Sequence, residues 1–177
     1  MGKSIMISVK PRFCDLIARE KKKIEVRKTK PNTEIPFKCY IYCTRAKRSE
    51  KLYSNGTVIV KDTRKLLDPS IRYPGSKIFQ RWNGKVIGEF VCDRVYELVI
   101  QSQGGSYYVK GEDQSITNDV ARHSCLTLKD MHEYLRSNVG YGWHISDLII
   151  YDKPKDLSDF GMKRSPQSWC YAEEEKR

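Results

Sequence analysis

Hydrophobic and polar residues alternate in short segments near the start of the chain, and this alternation predicts β-strands. The segments are IMISVK (5–10), KIEVRK (23–28) and FKCYIYCT (37–44). Between the first two, Pro11 suits a first helical position, and RFCDLIARE (12–20) carries an apolar stripe at helical spacing. In 37–44 one face is apolar, and Lys38, Tyr40 and Tyr42 fall on the other; the pattern does not say which face is inward.

The rest of the chain continues the mixture of strands and helices. KVIGEFVCDRVYELVI (85–100) predicts one long strand, with a bend or bulge at Gly88. Segment 101–111 predicts a turn and a short strand, and 112–125 is partly helical. In LTLKDMHEYLRSN (126–138), Thr127 is the expected N-cap and Asp130 the third helical residue. Two further β segments are predicted at 140–154 and 166–171.

The order of these elements favours an α+β fold, a small mixed β-barrel with flanking helices. The length of 177 residues fits one domain, 1–177. Residues 45–84 lack the periodicity and hold scattered Pro, Gly, Ser and Asn, so we expect a long basic insertion there, with a short helix at 76–82.

Charge is distributed unevenly along the chain. Residues 1–85 hold 22 Lys and Arg against 7 Asp and Glu, a net charge of +15, whereas residues 86–177 hold 11 against 15, a net charge of −4. A chain with one strongly positive half is expected to present a positive surface to a polyanion, and nucleic acid is the first candidate. No apolar run is long enough to cross a membrane.

The six cysteines show no CxxC pair and no ligand spacing with the three histidines. No secretion signal precedes them, so we expect reduced, largely buried thiols in a cytoplasmic protein, with neither a metal nor another cofactor. The sequence leaves the oligomeric state open.

The segment EKKKIEVR (20–27) carries the most specific signal in the sequence. Ile24 and Val26 should point to one side of a strand, and Glu25 and Arg27 to the other. The segment resembles the Gly-x-Lys-x-x-Glu-x-Arg signature of ASCH domains, in the PUA-like superfamily of RNA-associated β-barrels. Lys22 falls on the signature lysine, and Glu20 stands in place of the glycine. This departure affects the turn more than the chemistry, because a residue other than glycine disfavours a positive φ.

The resemblance implies a cleft lined by the motif strand that engages RNA or a nucleotide. Arg27 offers a bidentate fork to a phosphate or a base edge, and Glu25 can accept from an exocyclic amine. Aromatic side chains near strand starts offer faces for stacking. The predicted nucleic-acid-binding residues are Lys10, Lys22, Glu25, Arg27, Tyr42, Trp143, His144, Ser168 and Trp169. An internal Glu25–Arg27 ion pair that only fixes the fold is the structural alternative, and both roles can hold together.

Whether the protein is an enzyme stays open at this point. Some small ASCH-like proteins are amidohydrolases acting on N4-acetylcytidine, but Glu25 stands where their threonine nucleophile would be. A ribonuclease activity is also attributed to the family, and Lys22, Glu25 and His144 would be its candidate catalytic residues if the fold brings them together. A third possibility is a bacterial or phage accessory protein whose basic face meets an acidic protein partner.

Overall fold

The computed structural model describes residues 4–45, 52–54, 57–60, 82–101, 106–136 and 139–173. The strands are β1 (Ser4–Val9), β2 (Ile24–Arg27), β3 (Phe37–Cys43), β4 (Leu52–Ser54), β5 (Thr57–Val60), β6 (Val86–Cys92), β7 (Val95–Ile100), β8 (Tyr107–Val109), β9 (Val139–His144), β10 (Ser146–Lys155) and β11 (Trp169–Ala172). The helices are α1 (Pro11–Ala18), α2 (Gln114–Ser124), α3 (Leu128–Leu135) and a 3₁₀ turn at Leu157–Phe160.

Two sheets carry the fold. One has five strands in the order β10-β6-β3-β1-β11, and the other has four in the order β2-β9-β7-β8; β4 and β5 pair only with each other. All described strand pairs are antiparallel except β1 with β3, which are parallel. The chain passes from β1 to β3 through α1 and β2. The predicted α+β class is therefore confirmed.

The predicted barrel is not closed, because the described strands form separate five- and four-stranded ladders. β2 lies at one end of its sheet and pairs only with β9. A side chain links β2 to the five-stranded sheet, since Arg27 Nη2 donates to the Ser8 carbonyl of β1 at 2.7 Å.

Three apolar clusters pack the sheets. The first contains residues from both sheets and α1, including Ile7, Phe37 and Trp143. The second lies where α2 and α3 cover the four-stranded sheet. The third contains Tyr40, Tyr42 and Phe160, so the second face of β3 is also buried. Both tyrosines therefore lie inside the protein, because the 3₁₀ turn covers the face on which the alternation had placed them.

The single strand predicted over 85–100 is wrong: the chain turns at Asp93 and Arg94, and its halves join different sheets. Asp93 and Arg94 are both exposed, so these two polar residues lie outside the core at the point where the chain passes from one sheet to the other. Gly88 does mark an irregular point, because the β6–β10 register shifts next to it and a Cβ there would lie 2.3 Å from the Ile149 carbonyl oxygen.

The capping box predicted at the start of α3 is confirmed, with Thr127 and Asp130 bonded reciprocally. All six cysteines are free, and four of them are buried. Most of the insertion 45–84 and of the helix predicted at 76–82 lies outside the described residues.

Candidate functional site

β2 presents its two faces as the alternation predicts. Ile24 and Val26 pack in the cluster under α2 and α3. Glu25 and Arg27 point to the other side, where Glu25 lies opposite Trp143 of β9. Every residue of β2 is buried, so the motif carboxylate and guanidinium lie inside the protein.

Lys22 is held at the entrance of β2 by three oxygen atoms. Its Nζ donates to the Ile24 carbonyl at 2.8 Å and to the Ser124 carbonyl, and it lies 3.3 Å from Glu25 Oε2. An ammonium group has three N–H donors, and the two carbonyls accept from two of them, while Glu25 lies at ion-pair distance. Ser124 is the last residue of α2, so the ammonium group of Lys22 also interacts favourably with the negative, C-terminal end of the helix dipole.

Glu25 lies between the two cations of the motif. Its Oε1 is 3.1 Å from Arg27 Nη2, on the opposite side from the Lys22 contact. The side-chain exposed fractions are 1% for Lys22, 7% for Glu25 and 8% for Arg27. We call these three residues the buried triad. These contacts include the internal Glu25–Arg27 ion pair of the structural alternative. Direct contact between these three residues and a ligand stays a prediction.

Hydrogen bonding in and around the buried triad is incomplete. Glu25 Oε2, Arg27 Nε and Trp143 Nε1 are buried and have no hydrogen-bond partner among the described residues. Burial also lowers the pKa of Lys22 below its ordinary value, against the opposing effect of the Glu25 charge. Two cations and one carboxylate in a nearly dry interior make this the most strongly charged part of the described core.

A cavity of about 330 Å³ opens at the entrance of β2. Its walls come from the end of α1, the start of β2 and the β9–β10 corner. The lining residues are Ile17, Glu20, Lys22, Lys23, His144, Ile145, Ser146, Asp147 and Leu148. The fold thus brings Lys22 and His144, 122 positions apart in the sequence, to one hollow.

The backbone is left-handed at two non-glycine residues of this cavity. Glu20 has φ 55° and Asp147 has φ 45°. Such a conformation costs an L-residue about 1–2 kcal/mol. Glu20 therefore adopts the turn for which the ASCH signature uses glycine, although a side chain disfavours it.

His144 forms a close pair with Asp93 at the cavity wall. The distance from its Nδ1 to Asp93 Oδ1 is 2.6 Å, and about a third of the histidine side chain is exposed. Partial burial raises the pKa of Asp93, but the hydrogen bond and charge of His144 outweigh it, so the pKa lies below its ordinary value. A carboxylate accepts, so Nδ1 carries the proton and Nε2 can act as a base. No local sequence signal indicated Asp93 as the partner.

The other predicted binding residues are spread over the fold. Tyr42 and Trp143 are buried, with exposed fractions of 5% and 0%. Lys10 is exposed beside α1, and Ser168 and Trp169 are half-buried at the start of β11. The structure therefore places Lys22, Glu25, Arg27, Tyr42 and Trp143 inside the protein and leaves the remaining members closer to the surface.

Among the residues that the structure describes, no group of three His, Cys, Asp or Glu side chains is arranged to hold a metal ion. None of the helices described is long and apolar enough to cross a membrane.

No family model matches the sequence, and no curated protein matches it significantly. Solved structures do match. The ASCH protein of Zymomonas mobilis aligns over 97% of this chain and 89% of its own, with a TM-score of 0.60 and 15% identity. Two mutant proteins of it align over the same share of this chain, with TM-scores of 0.58 and 0.59 and 15% identity. The chain therefore has the ASCH fold that the motif of β2 predicted.

Proposed function

We propose that the protein binds nucleic acid, and RNA in particular, through the surface around the two ends of β2. One observation carries the proposal. Five exposed lysines lie within 21 residues of sequence around the motif, and none pairs with a carboxylate of the described residues; they are Lys10, Lys21, Lys23, Lys28 and Lys30.

Several exposed lysines elsewhere in the described structure have acidic partners. Lys38 pairs with Glu89, Lys85 with Asp156, and Lys110 with Glu97, at 2.5–2.9 Å. Their charge is therefore largely cancelled locally. Around β2 the charge of the lysines remains available to phosphate groups. Phosphates that bind these lysines release the counterions of the nucleic acid, so the affinity falls as the salt concentration rises.

The buried triad supports this surface without being its main contact. Its ion pairs and the bond from Arg27 to β1 hold β2 in place. The lysines before and after β2 are thereby fixed on the outside of a rigid strand. The Nε of Arg27 is a buried motif donor with no hydrogen-bond partner among the described protein atoms.

Replacing Lys21, Lys23, Lys28 and Lys30 with glutamine is expected to weaken binding to a single-stranded RNA pool and to flatten its salt dependence. Each phosphate contact on a single strand contributes about −0.7 to the slope of log affinity against log salt. Loss of three or four contacts should therefore change the slope by about 2–3. Fluorescence anisotropy over a salt series measures both quantities.

The matched control removes charge from the other half of the chain, by replacing Lys110 and Lys129 with glutamine. Both are exposed and pair with glutamates. Their loss should leave the slope unchanged. Wild-type affinity that is insensitive to salt would contradict the proposal, as would equal effects of the two sets of substitutions.

Hydrolysis of RNA or of a modified nucleoside is a second candidate, favoured by the cavity that Lys22 and His144 share. His144 Nε2 can take a proton from the attacking hydroxyl of water or of ribose, while Asp93 keeps the ring in that tautomer. Lys23 is exposed at the same wall and can face a phosphate. Two of the three N–H donors of Lys22 already bond to backbone carbonyls, so its main contribution to the cavity is its charge.

If this activity exists, His144→Gln should lower the cleavage rate of labelled RNA, or of N4-acetylcytidine, by about 10²-fold. His123→Gln is the matched control, because His123 also pairs with an aspartate, Asp119, at 3.2 Å, but on α2 and outside the cavity. A rate that survives the His144 substitution would exclude this residue as the base. Wild-type protein without any turnover would leave binding as the function.

A further inference from the structure

The segment after β2 holds two lysines against aromatic rings. Lys28 Nζ lies 5.5 Å from the centre of the Tyr134 ring, and Lys30 Nζ lies 5.5 Å from the centre of the Tyr141 ring. Both distances are within the roughly 6 Å over which the face of an aromatic ring attracts a cation. Neither lysine pairs with a carboxylate of the described residues. Within the described part of the chain, the rings therefore hold these two ammonium groups.

Both rings are rigid supports, because each is half-buried and packs against an apolar cluster. Tyr134 lies on α3 and packs against the cluster under α2 and α3. Tyr141 lies on β9 and packs against the cluster that contains residues of both sheets. Lys28 and Lys30 are exposed. Each ammonium group thus has a ring on one side and solvent on the others, where a phosphate group can bind it.

The two supports lie on opposite faces of the four-stranded sheet. Tyr134 packs on the face that α2 and α3 cover. Tyr141 is directly opposite Arg27 in the β2–β9 register, and residues directly opposite in an antiparallel pair share a face. Because Arg27 points away from the helices, Tyr141 lies on the other face. A strand that contacts both Lys28 and Lys30 must therefore cross the end of β2 from one face to the other.

We infer that Tyr134 and Tyr141 are positioning residues, which hold Lys28 and Lys30 ready for the phosphates of an RNA strand that crosses the end of β2. Ordering one flexible side chain on binding lowers the affinity by about two- to tenfold, and a lysine already held on a ring avoids most of that loss. This inference rests on the proposed function and adds the path of the strand. Neither tyrosine is among the residues predicted from the sequence, because each contact joins segments that are distant along the chain.

Replacing Tyr134 and Tyr141 with leucine is expected to weaken binding to the single-stranded RNA pool by about two- to tenfold for each ring. The slope of log affinity against log salt should stay unchanged, because the same number of phosphates is bound. Phenylalanine at both positions keeps the rings, so this variant should bind as wild type does. Fluorescence anisotropy over a salt series measures affinity and slope, and circular dichroism melting checks that each variant is folded.

A second set of variants separates positioning from a structural role. In a protein that already carries Lys28→Gln and Lys30→Gln, the two leucine substitutions should have no further effect on affinity. An equal loss with and without the lysines would mean that the rings only support the fold. In wild type, the ring current should shift the NMR signals of both lysine side chains, and the shift should persist when RNA binds. Loss of the shift in the complex would contradict the inference without any substitution.

Tyr96→Leu is the matched control. The Tyr96 ring also has a cation above it, Arg94 at 5.2 Å, but this guanidinium pairs with Glu112 at 3.1 Å. Its affinity for RNA should equal that of wild type. A folded double leucine variant that binds RNA as well as wild type does, or more tightly, would overturn the inference and leave the proposed function intact. Wild type that binds no RNA at any salt concentration would overturn both.

Discussion

Glu25→Gln is expected to lower the free energy of unfolding by about 3–5 kcal/mol, the cost of removing one partner from a buried ion pair. The glutamate is the only carboxylate within ion-pair distance of Lys22 and Arg27 in the described structure. Without its charge, two cations share an interior in which their side chains are 1% and 8% exposed. Urea unfolding followed by circular dichroism measures the change.

Glu97→Gln provides the surface comparison. Glu97 pairs with Lys110 at 2.8 Å, but both side chains are substantially exposed, so the expected loss is below about 1 kcal/mol. Similar losses for the two variants would show that the buried triad does not stabilise the fold.

A triple variant, Lys22→Met with Glu25→Leu and Arg27→Met, separates structure from binding. Apolar replacement of a whole buried ionic group is often neutral or stabilising, so this protein should regain most of the stability lost in Glu25→Gln. If it also binds RNA as wild type does, the motif charges are structural. A folded triple variant with much weaker binding would show that the ligand uses them.

Stability is expected to fall steeply above about pH 9, because three fully buried thiols must stay protonated in the folded protein. Burial raises the pKa of Cys92 to about 12 and raises the pKa of Cys14 and of Cys39 well above the ordinary value. Above pH 9 the unfolded chain releases these protons and the folded chain keeps them. Each thiol therefore lowers the unfolding free energy by about 1.4 kcal/mol per pH unit.

Lys22 acts in the opposite direction over part of the same range. Its pKa is lowered in the folded state by burial, so between that value and 10.5 the unfolded chain binds the extra proton and stability rises with pH. Three thiols against one lysine leave a net fall of about 3 kcal/mol per pH unit. Unfolding in urea at a series of pH values between about 8 and 10.5 measures this slope.

Cys92→Ala tests the assignment of the slope to thiols. It removes one of the three buried groups, so the fall above pH 9 should become shallower by about 1.4 kcal/mol per pH unit. Cys170→Ala, at a partly exposed thiol, should change the slope less. An alkaline slope that is the same in wild type and Cys92→Ala would exclude this thiol as a cause.

The sequence by itself determined the features that depend on neighbours along the chain. Alternation assigned Ile24 and Val26 to one face of β2 and Glu25 to the other, and local hydrogen bonding fixed the Thr127 cap of α3. The motif also predicted the ASCH fold. These are short-range properties, because strand periodicity and capping involve residues within a few positions of each other.

Only the tertiary structure decided which faces are covered and which distant groups meet. Lys22 bonds to Ser124, 102 positions away, and His144 to Asp93, 51 positions away. Alternation tells which side chains share a face, but burial depends on what packs there from the rest of the chain. The charged face of β2 therefore became a buried ion cluster, and the lysines before and after β2 stayed exposed.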